Sequence, residues 1–229
     1  MSKTQITACI DGSEISQAVC KTAAWASRIL NAPLSFLHAL EKSHTAAVED
    51  YSGAIGLGSR EHLLDDLAEQ DEKRNKQAIE YGKQLLDQAQ QTAEAAGAIQ
   101  VSTQQRHDEL LDALLTCETN TRLFVIGRLG DDHDIQNSVI GSHIKTIVRS
   151  VHTPILMATG KFSTPNNYML AYDGSETSDK AIERIANSPL LKSLPGHIVM
   201  IGENNPENQQ RLNHASELLS AKGHQVQTH

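Results

Sequence analysis

Thr121–Ala158, TRLFVIGRLGDDHDIQNSVIGSHIKTIVRSVHTPILMA, decides the reading of the whole chain. Leu123–Ile126 is a short apolar run, and Gly127 and Gly130 follow at its carboxyl end. After a polar loop, Gly141 and Ser142 open an amphipathic segment with Ile144, Ile147 and Val148 on one side. Pro154 then precedes a second apolar run, Ile155–Ala158. The order is strand, glycine loop, helix, strand, and it suits an anion. Glycine lets the backbone approach a phosphate closely, and the unpaired N–H groups of a helix start point at it. Ser142 is a favoured N-cap residue, so its hydroxyl is either tied to the backbone or shared with a ligand.

The residues before this stretch alternate in the same way. Residues 5–11 read as a strand ending at Asp11. Gly12 and Ser13 turn the chain, and Ser13 is placed to cap a helix reaching about Leu30, with Val19, Ala23, Ala26 and Leu30 on one face. Pro33 ends the connection. Leu34–Leu40, LSFLHAL, is near-continuously apolar, as a strand buried on both faces of a parallel sheet should be. A polar, glycine-bearing loop follows over Lys42–Ser59. Ser59 to Ala96 reads as one long charged helix with Leu63, Leu67, Arg74, Ala78, Leu85, Ala89 and Ala96 as its inward stripe, ended by Gly97. Ile99–Thr103 is a third strand, and Asp108 is placed to cap a helix carrying Leu110, Leu111, Leu114 and Leu115. This alternation predicts an α/β fold, a doubly wound open sheet of about five parallel strands with helices on both faces.

After Gly160 the pattern begins again. Asp11, Gly12, Ser13, Glu14 and Ser16 return, 162 residues later, as Asp173, Gly174, Ser175, Glu176 and Ser178. The same offset pairs Pro33 with Pro195 and Glu41 with Glu203, so two separate anchors share one register and point to a duplication. Three segments follow: a first domain over residues 1–159, a linker over 160–167 that contains Pro165, and a shortened second copy over 168–229. The copy's last residues, QVQTH, match Gln100–Thr103, and nothing like Gly127–Ser142 follows them. The second copy is therefore expected to be partial.

Composition narrows the function. The formal net charge of −8, with no strongly basic run, argues against non-specific binding to nucleic acid or to an anionic membrane surface. No apolar run is long enough to span a bilayer, and the N-terminal MSKTQITACIDGS lacks the apolar region of a signal peptide, so a cytoplasmic protein is expected. Three widely spaced cysteines, Cys9, Cys20 and Cys117, suit reduced thiols rather than a disulfide frame. Cys20 beside Lys21 is the one candidate for a reactive thiol. The eleven histidines lack paired metal-ligand spacing, and His38 in a buried strand reads as a hydrogen-bonded core residue. Gly53, Gly56 and Gly58 follow no apolar strand and read as a connector. No Ser-His-Asp order, nucleophile elbow or paired carboxylate is visible, so the residues point to no turnover chemistry.

The strand ending in Asp11-Gly12-Ser13, the strand ending in His38-Ala39-Leu40, and the VIGRLG…IGSHIKTIVRSVHTPILM stretch together resemble the universal stress proteins, in particular their bacterial tandem members. The resemblance covers residues 3–158 and continues into 167–229. ATP-binding members carry Gly, two residues, Gly, nine residues, Gly, then Ser or Thr. Here Gly127 and Gly130 fit, and the gap to Gly141-Ser142 is ten residues, one longer. Asp131, Asp132 and Asp134 in that gap would repel a triphosphate unless Mg²⁺ lies between, with Arg128 and Lys145 as partial offsets. The resemblance implies that Asp11 holds the ribose hydroxyls and that the Ala39 backbone meets adenine. It implies that Gly127, Gly130, Gly141 and Ser142 wrap the phosphates, with Ile126 and His143 beside them. It further implies a stress-response role, ATP or a related adenine nucleotide with Mg²⁺, an unidentified protein partner, and a homodimer paired through the edge strand Ile155–Ala158. Two rivals stand beside it: a nucleotide-free scaffold that recruits partners, and a nucleotide hydrolase or adenylyl-transfer enzyme.

Overall fold

The computed structural model describes residues 4–40, 57–128 and 142–229, with side chains described from residue 69 and from residue 144 in the helices that begin at 57 and 142. The chain divides into two compact units, Met1–Phe162 and Ser163–His229.

In the first unit strands and helices alternate: β1 (Gln5–Cys9), α1 (Ser16–Leu30), β2 (Pro33–Ala39), α2 (Leu57–Ala95), β3 (Ile99–Arg106), α3 (Leu110–Cys117), β4 (Thr121–Gly127), α4 (Ser142–Ser150) and β5 (Ile155–Ala158). The strands form one sheet in the order β3-β2-β1-β4-β5, every pairing parallel. α1 packs on β1 and β4, and α2 on β2 and β3. The other face is closed by Ala113 and Leu114 of α3, Ile147 of α4 and Val151 just after it, against Cys9, Leu37, Phe124 and Ile126 of the strands. With both faces covered, β1, β2 and β4 are buried almost end to end, which explains their unbroken apolar sequence.

Several local expectations are corrected. Ser13 does not cap α1: the helix begins at Ser16, Ile15 holds the cap position without a side-chain bond, and the Ser13 hydroxyl turns to Asp11 instead. Asp108 does not cap α3 either. Glu109 stands at the cap position, while Asp108 accepts from Arg106 Nε at 2.9 Å, because an ionised partner is the stronger competitor for the carboxylate. Pro33 is the first residue of β2 rather than a stop before it, a place where a strand tolerates the missing donor. The inward stripe of α2 is Gly82, Leu86, Ala89 and Ala93; Leu85 is half-buried, and Arg74 and Ala78 are exposed. The helix is 39 residues, about 58 Å at 1.5 Å per residue, and only its carboxyl-terminal part lies on the sheet. Between residues 69 and 81 its side chains are mostly exposed, with ion pairs four residues apart, Lys73 to Glu69 and Lys76 to Glu72. The expectations for Leu63 and Leu67 fall outside the described side chains.

The second unit contains β6 (Tyr168–Ala171), α5 (Glu176–Ala186), β7 (Gly196–Val199), α6 (Pro206–Ala221) and β8 (Val226–Thr228), with the parallel order β6-β7-β8. Its core is Tyr172, Ile182, Ile198, Ala215 and Leu219. The strands repeat the β1-β2-β3 half of the first sheet as a partial second copy. Gly12 and Gly174 share a left-handed backbone at φ +83° and +71°, and Gly97 and Gly223, just after α2 and α6, share it at +79° and +84°.

His224 lies inside this second unit, 3% exposed. Its Nδ1 meets the Tyr168 hydroxyl at 3.3 Å, while Nε2 has no hydrogen-bond partner. Burial, with Lys192 nearby, pushes its pKa below the ordinary imidazole value. A base whose folded pKa is lowered takes up its proton more readily unfolded, so stability is full above the unfolded pKa and falls as pH drops through it. Hydrogen exchange at β7 and α6 should show opening free energies falling below about pH 6.5, by at most about 1.4 kcal/mol per pH unit. His224→Phe should flatten that slope.

Candidate functional site

The site is set by the sheet's winding. From β1 the chain builds outward through β2 to β3, then returns to the other side of β1 with β4 and β5. Ligands of open α/β sheets bind beyond the carboxyl ends of the strands at such a reversal. Ala8 is in register with Phe36 on one side and Val125 on the other. Three residues further along each strand come Asp11, Ala39 and Arg128, with Gly127 one step below Arg128. The fold thus brings Asp11, Ala39 and Gly127 to one edge.

Asp11 is held by its own turn. Its Oδ1 accepts from the Ser13 backbone N–H at 2.9 Å, the Ser13 hydroxyl at 2.6 Å and the Ser16 hydroxyl at 3.0 Å. Ser16 Oγ in turn accepts from the Gly12 N–H at 3.1 Å. One oxygen is anchored by three donors, and Oδ2 takes no part in these bonds. Gly12 at φ +83° makes this turn possible, since a side chain there would be strained and would meet Tyr81 and Leu85 of α2. Ser16 is a functional-looking residue that local reading overlooked. The repeat carried the signal, because Ser178 stands at the matching place in the second copy. There Asp173 accepts from the Ser175 N–H at 2.9 Å, and bonds from Ser175 and Ser178 hold its carboxyl down at about 2.

Gly127 ends β4 with its Cα against α1. A Cβ added there would meet the Ile15 and Val19 side chains. The glycine therefore has a packing reason of its own, besides any approach to a ligand. Ile126 points the other way, 6% exposed, into the core with Cys9 and Ile147. Only its backbone can reach a ligand. Ala39 is half-buried at the end of β2, where the Leu40 N–H donates to the Arg106 carbonyl at 2.7 Å. Ser142 and His143 form the first turn of α4, and their side chains, like all of Gly130, Gly141 and Asp131 to Asp134, lie outside the described residues.

Cys9 and Cys20 are core thiols: desolvation pushes Cys9 up to about 12 and Cys20 up to about 11, so the alternative of a reactive Cys20 beside Lys21 is not favoured. His38 is a core residue whose Nδ1 lies 2.8 Å from the Ile10 carbonyl. Among the described residues no group of three or more His, Cys, Asp or Glu is arranged to hold a metal ion.

The sequence profile of the universal stress protein family matches residues 4–159. The chain belongs to this family. It is 30% identical over 223 residues to the universal stress protein Slr1230 of Synechocystis, a match covering 96% of this chain and 78% of that protein. The crystal structure of a universal stress protein from Archaeoglobus fulgidus DSM 4304 superposes with a TM-score of 0.69, covering 100% of this chain and 78% of that one; at 16% identity it shows the shared fold.

For a universal stress protein whose glycine loop begins at Gly127, the packing of that glycine has a consequence. Gly127→Val should lower stability by about 1–3 kcal/mol through the clash with Ile15. Ile15→Ala in the same chain should recover part of the loss in urea unfolding. If the single substitution leaves the midpoint unchanged, Gly127 is free of α1 and the packing account is wrong.

Proposed function

We propose that this universal stress protein binds an adenine nucleotide, ATP with Mg²⁺, at the carboxyl edge of the first sheet, and presents a nucleotide-dependent surface to partners during stress. The observation that carries this reading is the Asp11 carboxylate, fixed through one oxygen by three donors at the winding reversal, with the other oxygen left for a diol. Asp11 takes the ribose hydroxyls, and the backbone of Ala39 takes the base. Gly127, Gly130, Gly141 and Ser142 line the phosphates, with the Ile126 backbone and His143 beside them. α4 begins at Ser142, and the first turn of a helix favours negative charge. The donor set fits the group: a carboxylate for a diol, and glycines with a helix start for phosphate. Mg²⁺ would lower the repulsion between a triphosphate and the acidic loop.

The protein acts in the cytoplasm in this reading; among the described residues no helix is long and apolar enough to cross a membrane. We read residues 1–159 as the nucleotide-binding domain, 160–167 as a linker and 168–229 as the second repeat. Unit 1 pairs with a second copy through β5, which stands at the sheet edge with β4 on its one paired side. The exposed stretch of α2 between residue 69 and Gly82 favours a second reading, a scaffold that recruits partners without nucleotide.

Thermal unfolding separates the two. ATP–Mg at about a hundred times its dissociation constant should add about 2.7 kcal/mol. Asp11→Ala should remove that increment, each variant being compared with its own nucleotide-free state. A parent protein indifferent to ATP–Mg leaves only the scaffold. Light scattering on a sizing column should give twice the chain mass, and a Pro placed at Leu156 should return it to the monomer.

A further inference from the structure

One aromatic side chain stands at this edge outside every role assigned so far. Tyr81 is 52% exposed, although the chain has only four tyrosines, three phenylalanines and one tryptophan. It belongs to the level of α2 where the helix first meets the sheet. Its neighbour Gly82 presses so closely on His38 of β2 and Gln105 of β3 that an added Cβ would strike both. From there the phenol reaches across to the turn after β1, where its hydroxyl and the Leu85 side chain close over Gly12. The hydroxyl end of the ring thus lies on the turn that holds Asp11, one residue from the point where α2 presses on His38 near the end of β2, and about half of the side chain stays in water.

We propose that Tyr81 is a nucleoside-recognition residue, its ring forming the wall against which a purine base rests, with Leu85 behind it. This rests on the nucleotide reading above and extends it to a residue on α2, away from both the glycine loop and the strand ends. An exposed ring beside a fixed carboxylate offers what a nucleoside needs, a flat apolar face next to a polar anchor.

The second copy supplies an internal comparison. Gly97 and Gly223 share the same left-handed backbone after α2 and α6, and the same offset of 126 residues sets Ala93 on Leu219 and Ala89 on Ala215, all four buried. That offset sets Tyr81 on Glu207 and Leu85 on Arg211. Arg211 lies against Gly174 as Tyr81 and Leu85 lie against Gly12, and it is paired with Glu207 at 2.8 Å. The aromatic wall of the first copy is replaced by an ion pair in the second. Asp173 is retained, but no apolar face accompanies it, so one nucleotide is expected per chain.

The test is titration calorimetry with ATP–Mg and with adenosine. The parent should bind one equivalent per chain. Tyr81→Phe should stay within about threefold, and Tyr81→Ala should lose about tenfold or more for both ligands, the range expected for one stacked base. Because Trp25 is the only tryptophan and is buried, Tyr81→Trp adds a single exposed indole whose emission should be quenched by nucleotide. That signal reports contact even if the alanine variant is unstable. A parent that binds while Tyr81→Ala binds equally well, or an indole blind to saturating ATP–Mg, overturns the assignment and leaves nucleotide binding intact. A parent that binds neither ligand overturns the nucleotide reading and this inference together. Two equivalents per chain would show that the ion pair over Gly174 excludes nothing.

Discussion

β1 is the strand on which the first unit depends, because it stands at the centre of the sheet and joins β2 and β3 on one side to β4 and β5 on the other. Its partners are β2 and β4, in register at Ala8 with Phe36 and Val125. The two edges of the sheet are treated in opposite ways. At the amino edge the polar groups satisfy one another. Thr121 Oγ1 donates to the Cys117 carbonyl at 2.8 Å, which leaves the buried Thr7 hydroxyl to donate to Thr121 at 2.7 Å. Glu118 accepts the backbone N–H groups of His152 and Thr153, each at 2.7 Å. β1, β4 and the approach to β5 are clipped together there, and a buried network with every member paired fixes register. At the carboxyl edge, among the described residues, no such clip joins Asp11 to β4. Its donors all come from its own turn, so the carboxylate is rigid without being used up by the neighbouring strand.

That division of labour is repeated in the second unit, with a different outcome. Asp173 is held by Ser175 and Ser178, and Ser175 is a true N-cap for α5, accepting from the Ser178 N–H. In the first unit Ser13 gives its hydroxyl to Asp11 and α1 goes without a side-chain cap. The same five positions therefore orient the carboxylate in both copies, and in the second they cap the helix as well. The difference follows from local geometry: α1 begins at Ser16 and α5 at Glu176, two residues earlier in the repeat. An uncapped helix costs about 1 kcal/mol. A cost of that kind at the first copy's turn and not at the second's is consistent with the first carrying the site.

Much of this was legible in the sequence. The strand–helix alternation, the duplicated D-G-S turn and the glycine after β4 needed only periodicity and spacing, because a two-sided parallel sheet imposes long apolar runs and breaks them with glycine. Helix starts were read less well. Ser13 and Asp108 have the right chemistry for caps, but each had a stronger partner close by, Asp11 in one case and Arg106 in the other. Sequence pattern ranks residues by type and cannot see such competition. The stripe on α2 failed for a different reason. Periodicity finds a helix face but not where along its axis the sheet begins, and Arg74 and Ala78 lie before the contact, which opens with Gln105 donating to the Ile79 carbonyl and tightens at Gly82.

Tyr81 escaped notice for the same reason, lying one residue before Gly82 in a helix that reads as solvated throughout. Its importance comes from two glycines distant in sequence. Gly82 lets α2 press on the sheet, and Gly12 lets the Asp11 turn fold beneath the phenol. Neither is unusual alone, since glycine is common in turns and tolerated in helices. Together they bring an aromatic ring from an exposed stretch of helix onto the turn after β1. A side chain at either glycine would press on the groups that place the ring, displacing it without touching Asp11. The edge thus joins a carboxylate fixed by its own turn to a ring placed by helix–sheet contact, two supports that can be altered independently.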